Sequence, residues 1–281
     1  MNVLMVGSGG KGSMTVRGQQ LGQAIGARVV SVPSDDDLAW AHIVILVKRN
    51  GLDWASRVQQ ARKAIVWDAL DFWEQPEQNA LSQPDALALL QRCLQKIRPT
   101  LTIGATEAMA LACRGVYLPH HAWPNLRPTS ARAQVLTIGY QGKRKYLGRW
   151  AKAVQAECDR RGWTFVINPE DLRTCDLLVA FRDGQWDGWM CQEWKSGVKL
   201  VNARAAGRPI ITQDSAAFRE LKVVGSAIAD QADLPDAFDY WSHLEARQMA
   251  AQAPFEAYTL SAVAMTYRML LQKTFARVRV A

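Results

Sequence analysis

The stretch NVLMVGSGGKGS, residues 2–13, sets the terms for the fold. NVLMVG (2–7) is a short, uninterrupted apolar run, as expected of a strand covered by helices on both faces. The glycines that follow let the backbone turn tightly and approach a ligand closely. From Thr15 to Ile25 the spacing of Val16, Leu21 and Ile25 predicts a helix. Gly7, Gly9 and Gly12 match G-x-G-x-x-G directly after the strand, the dinucleotide-binding pattern. That fingerprint also needs an acid about 20 residues further on, at the end of the second strand. ARVVSV (27–32) ends in Val and Ser, and Pro33 intervenes before Asp35, Asp36 and Asp37, which read as caps for the helix at Leu38. No Gly-Lys-Ser/Thr occurs in the turn, so it is not a P-loop either.

Outward from this unit the same alternation continues. Strands are predicted at HIVILVK (42–48), KAIVWDAL (63–70), TLTIGA (100–105) and GVYLP (115–119). Helices are predicted at 53–61, 83–96 and 106–112. PHHAWPNLRPTSARAQ (119–134) then breaks the pattern with three prolines, a linker signal. Beyond it the alternation restarts with VLTIGY (135–140), TFVIN (164–168), DLLVAF (176–181), RPIIT (208–212) and GSAIA (225–229). Helices fall at 146–161, 199–206 and 216–221, and the chain from about Leu234 is mostly helical, most clearly at 260–275. The expected class is α/β, with two Rossmann-like doubly wound domains facing a cleft and a helical C-terminal tail. The division is 1–125, 126–255 and 256–281.

The chain has 281 residues, 49% hydrophobic and 21% charged, enough for two real cores and unlike a disordered protein. A net charge of +8 favours anionic partners, although the charge is spread without a long Lys/Arg tract. The five cysteines show no C-x-x-C spacing, so neither a disulfide framework nor a zinc site is expected. The first residues read as a strand and not a signal peptide, and no apolar run spans a bilayer; a cytoplasmic location is expected. Of the 11 tryptophans, Trp54, Trp67, Trp186 and Trp194 sit beside charged residues, a pattern shared by clefts and by surface packing.

WKSGVKLVNARAAGRPIIT (194–212) resembles the donor-site segment of GT-B glycosyltransferases, in which a turn opens a helix that ends in an A-x-G-x-P strand entry. TIGYQGKRKYL (137–147) resembles the strand and turn that open their C-terminal domain, and CDLLVAFRDG (175–184) resembles their following strand. The resemblance implies a metal-independent transfer from a nucleotide sugar, a UDP-sugar by analogy, with no other cofactor. Arg182, Lys195 and Lys199 are then candidates to neutralise the departing diphosphate, with Ser196 and Gly197 giving backbone N–H groups access to it. A solvated helix face is the alternative for the two lysines. Asn202 stands where many retaining members carry Glu, so sugar and stereochemistry do not carry over, and Glu193 is a weak substitute. Gly9, Gly10 and Lys11 match the glycine-rich turn that lies under the diphosphate in that family.

The acceptor wall should come from the N-terminal half. VWDALDFW (66–73) puts Asp68 and Asp71 at a strand end, where a carboxylate faces the cleft mouth; the alternative for one of them is capping a helix. His120 and His121 end the last strand of that half beside the linker. Thr106 and Glu107 look like a capping turn. Asp68, Asp71 and His120 are the candidates for acid–base chemistry. The basic, aromatic run at 140–150, with Lys143, Arg144 and Lys145, and the scattered Lys48, Arg49, Arg57, Arg62 and Lys63 suit a polyanion. The candidate acceptor is therefore a hydroxymethylated pyrimidine in DNA, as in the viral DNA-modifying glycosyltransferases. Open alternatives are a glycan or lipid-linked acceptor, an NAD(P)-dependent oxidoreductase, and a non-catalytic DNA-binding protein. The oligomeric state is not legible.

Overall fold

The computed structural model describes residues 1–7, 12, 14–49 and 53–280, with side chains to 277. Two parallel sheets form the frame. The first contains β1 (Val3–Val6), β2 (Arg28–Val30), β3 (Ile43–Val47), β4 (Ala64–Asp68), β5 (Leu101–Gly104) and β6 (Val116–Tyr117), in the order β2-β1-β3-β4-β5-β6. The second contains β7 (Thr137–Tyr140), β8 (Thr164–Ile167), β9 (Leu177–Ala180), β10 (Ile210–Thr212) and β11 (Gly225–Ala227), in the order β11-β10-β9-β7-β8. Every pairing is parallel. Each sheet therefore reverses its order between the first and third strand of its domain, β1/β3 and β7/β9. Such switch points open a crevice at the carboxyl ends of the strands.

Each predicted strand is present, because the apolar runs supply strands buried on both faces: β1, β3 and β4 are buried at every position. Several helices start where a side chain satisfies a free N–H group. Ser34 and Asp37 form a reciprocal capping box, so the acidic run at 35–37 belongs to a helix N-terminus. Thr106 caps the helix Glu107–Ala112. The predicted helix at 15–25 differs in kind: Met14–Gln20 is wound as a π-helix before Leu21–Ile25 continues as α. Residues 118–136 carry no helix or strand, as the prolines predict.

The C-terminal helix Leu260–Val280 lies on the first sheet, where Val263, Ala264, Tyr267 and Leu271 join a core with β1, β3 and β4. No helix among the described residues is long and apolar enough to cross a membrane. All five cysteines are free and buried.

The two domains interpenetrate. Met190, Cys191 and Trp194, from the unpredicted helix Trp189–Glu193 and the residue after it, belong to the core that also holds Trp67, Phe72 and Trp73 of the first domain. Around them, Asn79 Nδ2 donates to Gln185 O (2.8 Å), and Thr106 Oγ1 donates to Glu193 O (3.0 Å). The Glu220 carboxylate accepts from Glu107 N (2.7 Å) and Ala108 N (3.2 Å). Trp67 and Trp194 are thus core residues. At Gly188 φ is +127°, and a Cβ would fall 2.4 Å from Asn79 O.

Gly188→Ala therefore meets both a left-handed backbone and an immovable carbonyl, and should cost about 3 kcal/mol in urea denaturation. Gly184→Ala, also at positive φ but with nothing within 4 Å of the added Cβ, should cost only about 1 kcal/mol. Equal losses at the two sites would contradict the interdomain contact.

Candidate active site

A cavity of about 380 Å3 opens between the domains at the carboxyl ends of β7, β9 and β10. The second domain contributes Gln141, Tyr146, Ala180, Arg182, residues 195–200 and residues 212–215 to its walls. The first contributes Gly12, Val16, Asp71 and His120, and the linker contributes Trp123. Gly9, Gly10 and Lys11 lie outside the described residues; Gly12, which follows them, borders the cavity.

Two cations on the walls have no anionic partner among the described residues. Arg182 follows the end of β9, where its backbone N–H is held by Gln213 Oε1 at 2.8 Å. Lys199 stands in the first turn of the helix Val198–Ala206, and its Nζ lies 4.0 Å from the centre of the Tyr140 ring. Burial, then the charges of Arg182 and Lys195, push the Lys199 ammonium well below the ordinary lysine range. That helix begins at Gly197, which has no side chain to cap it, so its first N–H groups are left for a ligand or for water. Close packing explains the glycine: a Cβ at 197 would sit 2.4 Å from Leu221 Cδ1. Two free cations and a helix N-terminus on one wall make a site for a strong anion.

Lys195 and Ser196 are engaged differently from the expectation. Lys195 Nζ forms an ion pair with Asp71 Oδ2 (2.8 Å) and donates to Gln75 Oε1 (3.0 Å). Ser196 N donates to Asp71 Oδ1 (3.1 Å). The donors assigned by sequence to a phosphate are held instead by a carboxylate from the facing domain. Burial would raise the Asp71 carboxyl, but the Lys195 and Lys48 charges outweigh it and hold it at about 2. Asp71 is thus an anchored anion, unsuited to accept a proton at neutral pH.

Asp68 does not face the cleft. Its carboxylate is fully buried, 3.7 Å from Arg17 Nε and 3.4 Å from the hydroxyl of Tyr267. Burial raises its carboxyl despite Arg17. The strand end is where sequence placed it, but the C-terminal helix and the π-helix close over it.

His120 does reach the cavity wall. It is almost fully buried, and its Nδ1 has no hydrogen-bond partner. Burial, then Arg17 and His121, push it well below the ordinary imidazole value, so it is neutral. His121 points away, bonded through Nε2 to Gln20 Oε1 at 2.9 Å.

Asn202 is off the wall. It is fully buried, its Oδ1 accepting from Trp123 N (2.9 Å) and its Nδ2 donating to Gln141 Oε1 (3.0 Å). It ties the linker to a cavity residue. Glu193 is paired with Arg219 (3.1 Å). Lys143, Arg144 and Lys145 are exposed around a short 3-10 turn after β7. Lys145 Nζ covers the Trp186 ring at 4.6 Å, and Trp186 packs edge-on against Tyr146 at the cavity wall. Gln141, Tyr146, Trp123 and residues 212–215 escaped the sequence reading. Gln141 and 213–215 immediately follow β7 and β10, which is the available signal. Among the described residues, no group of three or more His, Cys, Asp or Glu side chains is placed to hold a metal ion.

Solved structures confirm the architecture. HepE of Anabaena, crystallised with UDP and glucose, superposes with a TM-score of 0.64 at 13% identity over 97% of this chain and 99% of that one. A UDP-N-acetylglucosamine 2-epimerase from Listeria monocytogenes, itself so described only provisionally, gives 0.58 at 12% identity over 98% and 97%. A glycosyltransferase of avilamycin A biosynthesis gives 0.53 at 11% identity over 99% and 97%. The fold is the GT-B arrangement of two facing parallel-sheet domains. No protein-family model and no curated protein sequence matches the chain.

The Asp71 anchor has a pH signature. Its folded value of about 2 lies below the ordinary 3.8, so the stability it contributes is complete above pH 4 and disappears as pH falls toward 2. Urea unfolding should show about 2 kcal/mol of stability lost across that window in the wild type and no such component in Asp71→Asn. Parallel pH curves for the two proteins would refute the anchor.

Proposed function

We propose that this chain transfers a sugar from a nucleotide sugar, UDP-linked by analogy with HepE, to an acceptor hydroxyl. The observation that carries this reading is the pairing across one cavity of Arg182 and Lys199, which have no anionic partner among the described residues, with neutral His120. Cleaving the sugar–phosphate bond leaves a nucleoside diphosphate whose charge grows in the transition state. Arg182, Lys199 and the uncapped helix at 198 meet that charge without reorganising. An arriving diphosphate favours the charged form of Lys199 and so opposes the burial and the neighbouring cations that lower it. No step in this scheme calls on a metal ion. His120, on the facing domain, accepts the acceptor's proton as the hydroxyl attacks. The same incoming negative charge raises its basicity toward the working pH. Asp71 takes no proton; it fixes Lys195 and the turn that opens the helix. Gly9, Gly10 and Lys11 are proposed to complete the diphosphate site from the first domain.

Support for DNA as acceptor is narrower. The Lys143–Lys145 turn stands beside the Tyr146–Trp186 pair at the cavity wall. On the first domain, however, Arg49 is paired with Glu74 (2.7 Å) and Arg57 with Asp35 (2.5 Å), which breaks up a basic track. DNA containing hydroxymethylated pyrimidines belongs in the acceptor panel and is not the leading candidate.

Isothermal titration with UDP should give binding that weakens about 10- to 100-fold in Arg182→Ala and in Lys199→Ala, the range for a lost charge-assisted contact. His120→Gln should leave UDP affinity within about twofold and lower turnover of the UDP-sugar by about 100-fold or more. Unchanged UDP affinity in both cation variants would overturn the proposed donor site. Mass spectrometry of products separates transfer from hydrolysis.

A further inference from the structure

A second cavity, of about 390 Å3, lies at the junction of the linker, the helix ending at Ile25 and the start of the C-terminal helix. It shares one wall with the first: Trp123 lines both. Trp123, Leu126 and Phe255 make one side apolar. Two exposed guanidiniums, Arg127 and Arg268, stand on the rim, and among the described residues no carboxylate lines the cavity. Each arginine spends only part of its donor capacity on the protein. Arg127 Nη1 donates to the carbonyls of Pro124 (3.1 Å) and Leu126 (2.7 Å) and its guanidinium carbon sits 5.9 Å from the Phe255 ring centre. Arg268 Nη2 donates to the carbonyl of Ala24. Ser261, in the first turn of the long C-terminal helix, adds a hydroxyl to the wall.

An apolar floor with two cations and no acid suits a molecule having an anionic group on an apolar body. Trp123 lines both cavities and His120 lines the first, so the two cavities meet at a residue that shares the first cavity with His120. We propose that this second cavity seats the anionic, apolar end of the acceptor, whose hydroxyl then reaches across Trp123 to His120. The proposal rests on the transferase reading for the word acceptor and on the cavity alone for the ligand class. Phosphate or carboxylate on an alkyl chain, and the same groups on an aromatic ring, share the recognised chemistry.

The test is titration of octyl phosphate, phenyl phosphate and inorganic phosphate, each with the wild-type chain saturated with UDP. Octyl or phenyl phosphate should bind in the presence of UDP, at least about 100-fold tighter than inorganic phosphate because of the buried apolar body; which of the two is tighter tells chain from ring. Arg127→Gln and Arg268→Gln should each weaken that binding about tenfold and leave UDP affinity unchanged. Three results would overturn the proposal: competition between UDP and the organic phosphate, inorganic phosphate binding as tightly as the others, or parallel loss of UDP affinity in the arginine variants. The last would assign the arginines to packing of the linker. If UDP itself fails to bind while octyl or phenyl phosphate binds as described to the UDP-free chain, the donor assignment falls and the second site stands. Transfer to hydroxymethylated DNA that is insensitive to both arginine substitutions would remove the acceptor role.

Discussion

Met190, Cys191 and Trp194 belong to the second domain by sequence, yet their side chains complete the core of the first. Trp194 is 2% exposed there, and the aromatic ring of Phe72 lies 6.1 Å from it, centre to centre. Removing a buried Trp costs about 3–5 kcal/mol, so the domains are joined by core packing and not by a wet interface. The cavity follows from this seating. The same segment that plugs the first domain emerges as Lys195 and Ser196, then turns at Gly197 into the helix that presents Lys199. Moving the plug would move the cation wall with it.

The Asp71–Lys195 pair has its meaning inside that frame. Buried ion pairs contribute little net stability, because desolvation offsets the attraction. What such a pair does well is punish every arrangement that separates its members. With Ser196 N also held by Asp71, the pair fixes the height of the turn relative to the first domain. The chain thereby sorts its cations. Lys195 is committed to structure, as are Arg17, Arg208 and Arg247, which are buried and donate to backbone carbonyls. Among the described residues Arg182, just past a strand end, and Lys199, in the first turn of a helix, have no anionic partner. A chain with a net charge of +8 can carry many cations without function; the informative ones are those left unpaired where a crevice is built.

Much of the fold was legible because buried parallel strands must be apolar runs, and IVILV or AIVWD admit few other readings. That Arg182, Lys199 and His120 line the cavity was legible for a related reason: they lie just beyond strand ends or open a helix, the places a doubly wound fold exposes to its cleft. The misplacements share a different cause. Asp68 looks from its strand like a cleft carboxylate, but the residues that turn it inward are Arg17 and Tyr267, the latter 199 positions away. Asp71 meets Lys195 and Ser196 across about half the chain. Asn202 occupies a helix position that suggested donor contact, and instead spans from Trp123 to Gln141. Local pattern reports which residues stand at a strand end; only the packing of distant segments decides which way a polar side chain there must turn. The helix Trp189–Glu193 was missed because five residues without a regular polar face carry no helical period, and the core that selects them lies in the other domain.

Asn202 shows how the two cavities are mechanically related. Its amide is fully buried, with the oxygen on the backbone of Trp123 and the nitrogen on the side chain of Gln141. A charged residue at that place would bury an ion without a counter-charge, at a cost of several kcal/mol; the neutral amide supplies one acceptor and one donor, which is what its two neighbours require. Trp123 lines both cavities and Gln141 lines the first, so the amide ties together two residues of the first cavity's wall. The linker is therefore no passive tether. Ala122 N bonds to Tyr258 O at 2.8 Å on one side of Trp123, and Leu126 N bonds to Trp123 O at 3.0 Å on the other. Three backbone N–H groups around Trp123, those of Ala122, Trp123 itself and Leu126, are thus paired although the segment has no regular secondary structure, and these bonds hold in place the one tryptophan that lines both cavities.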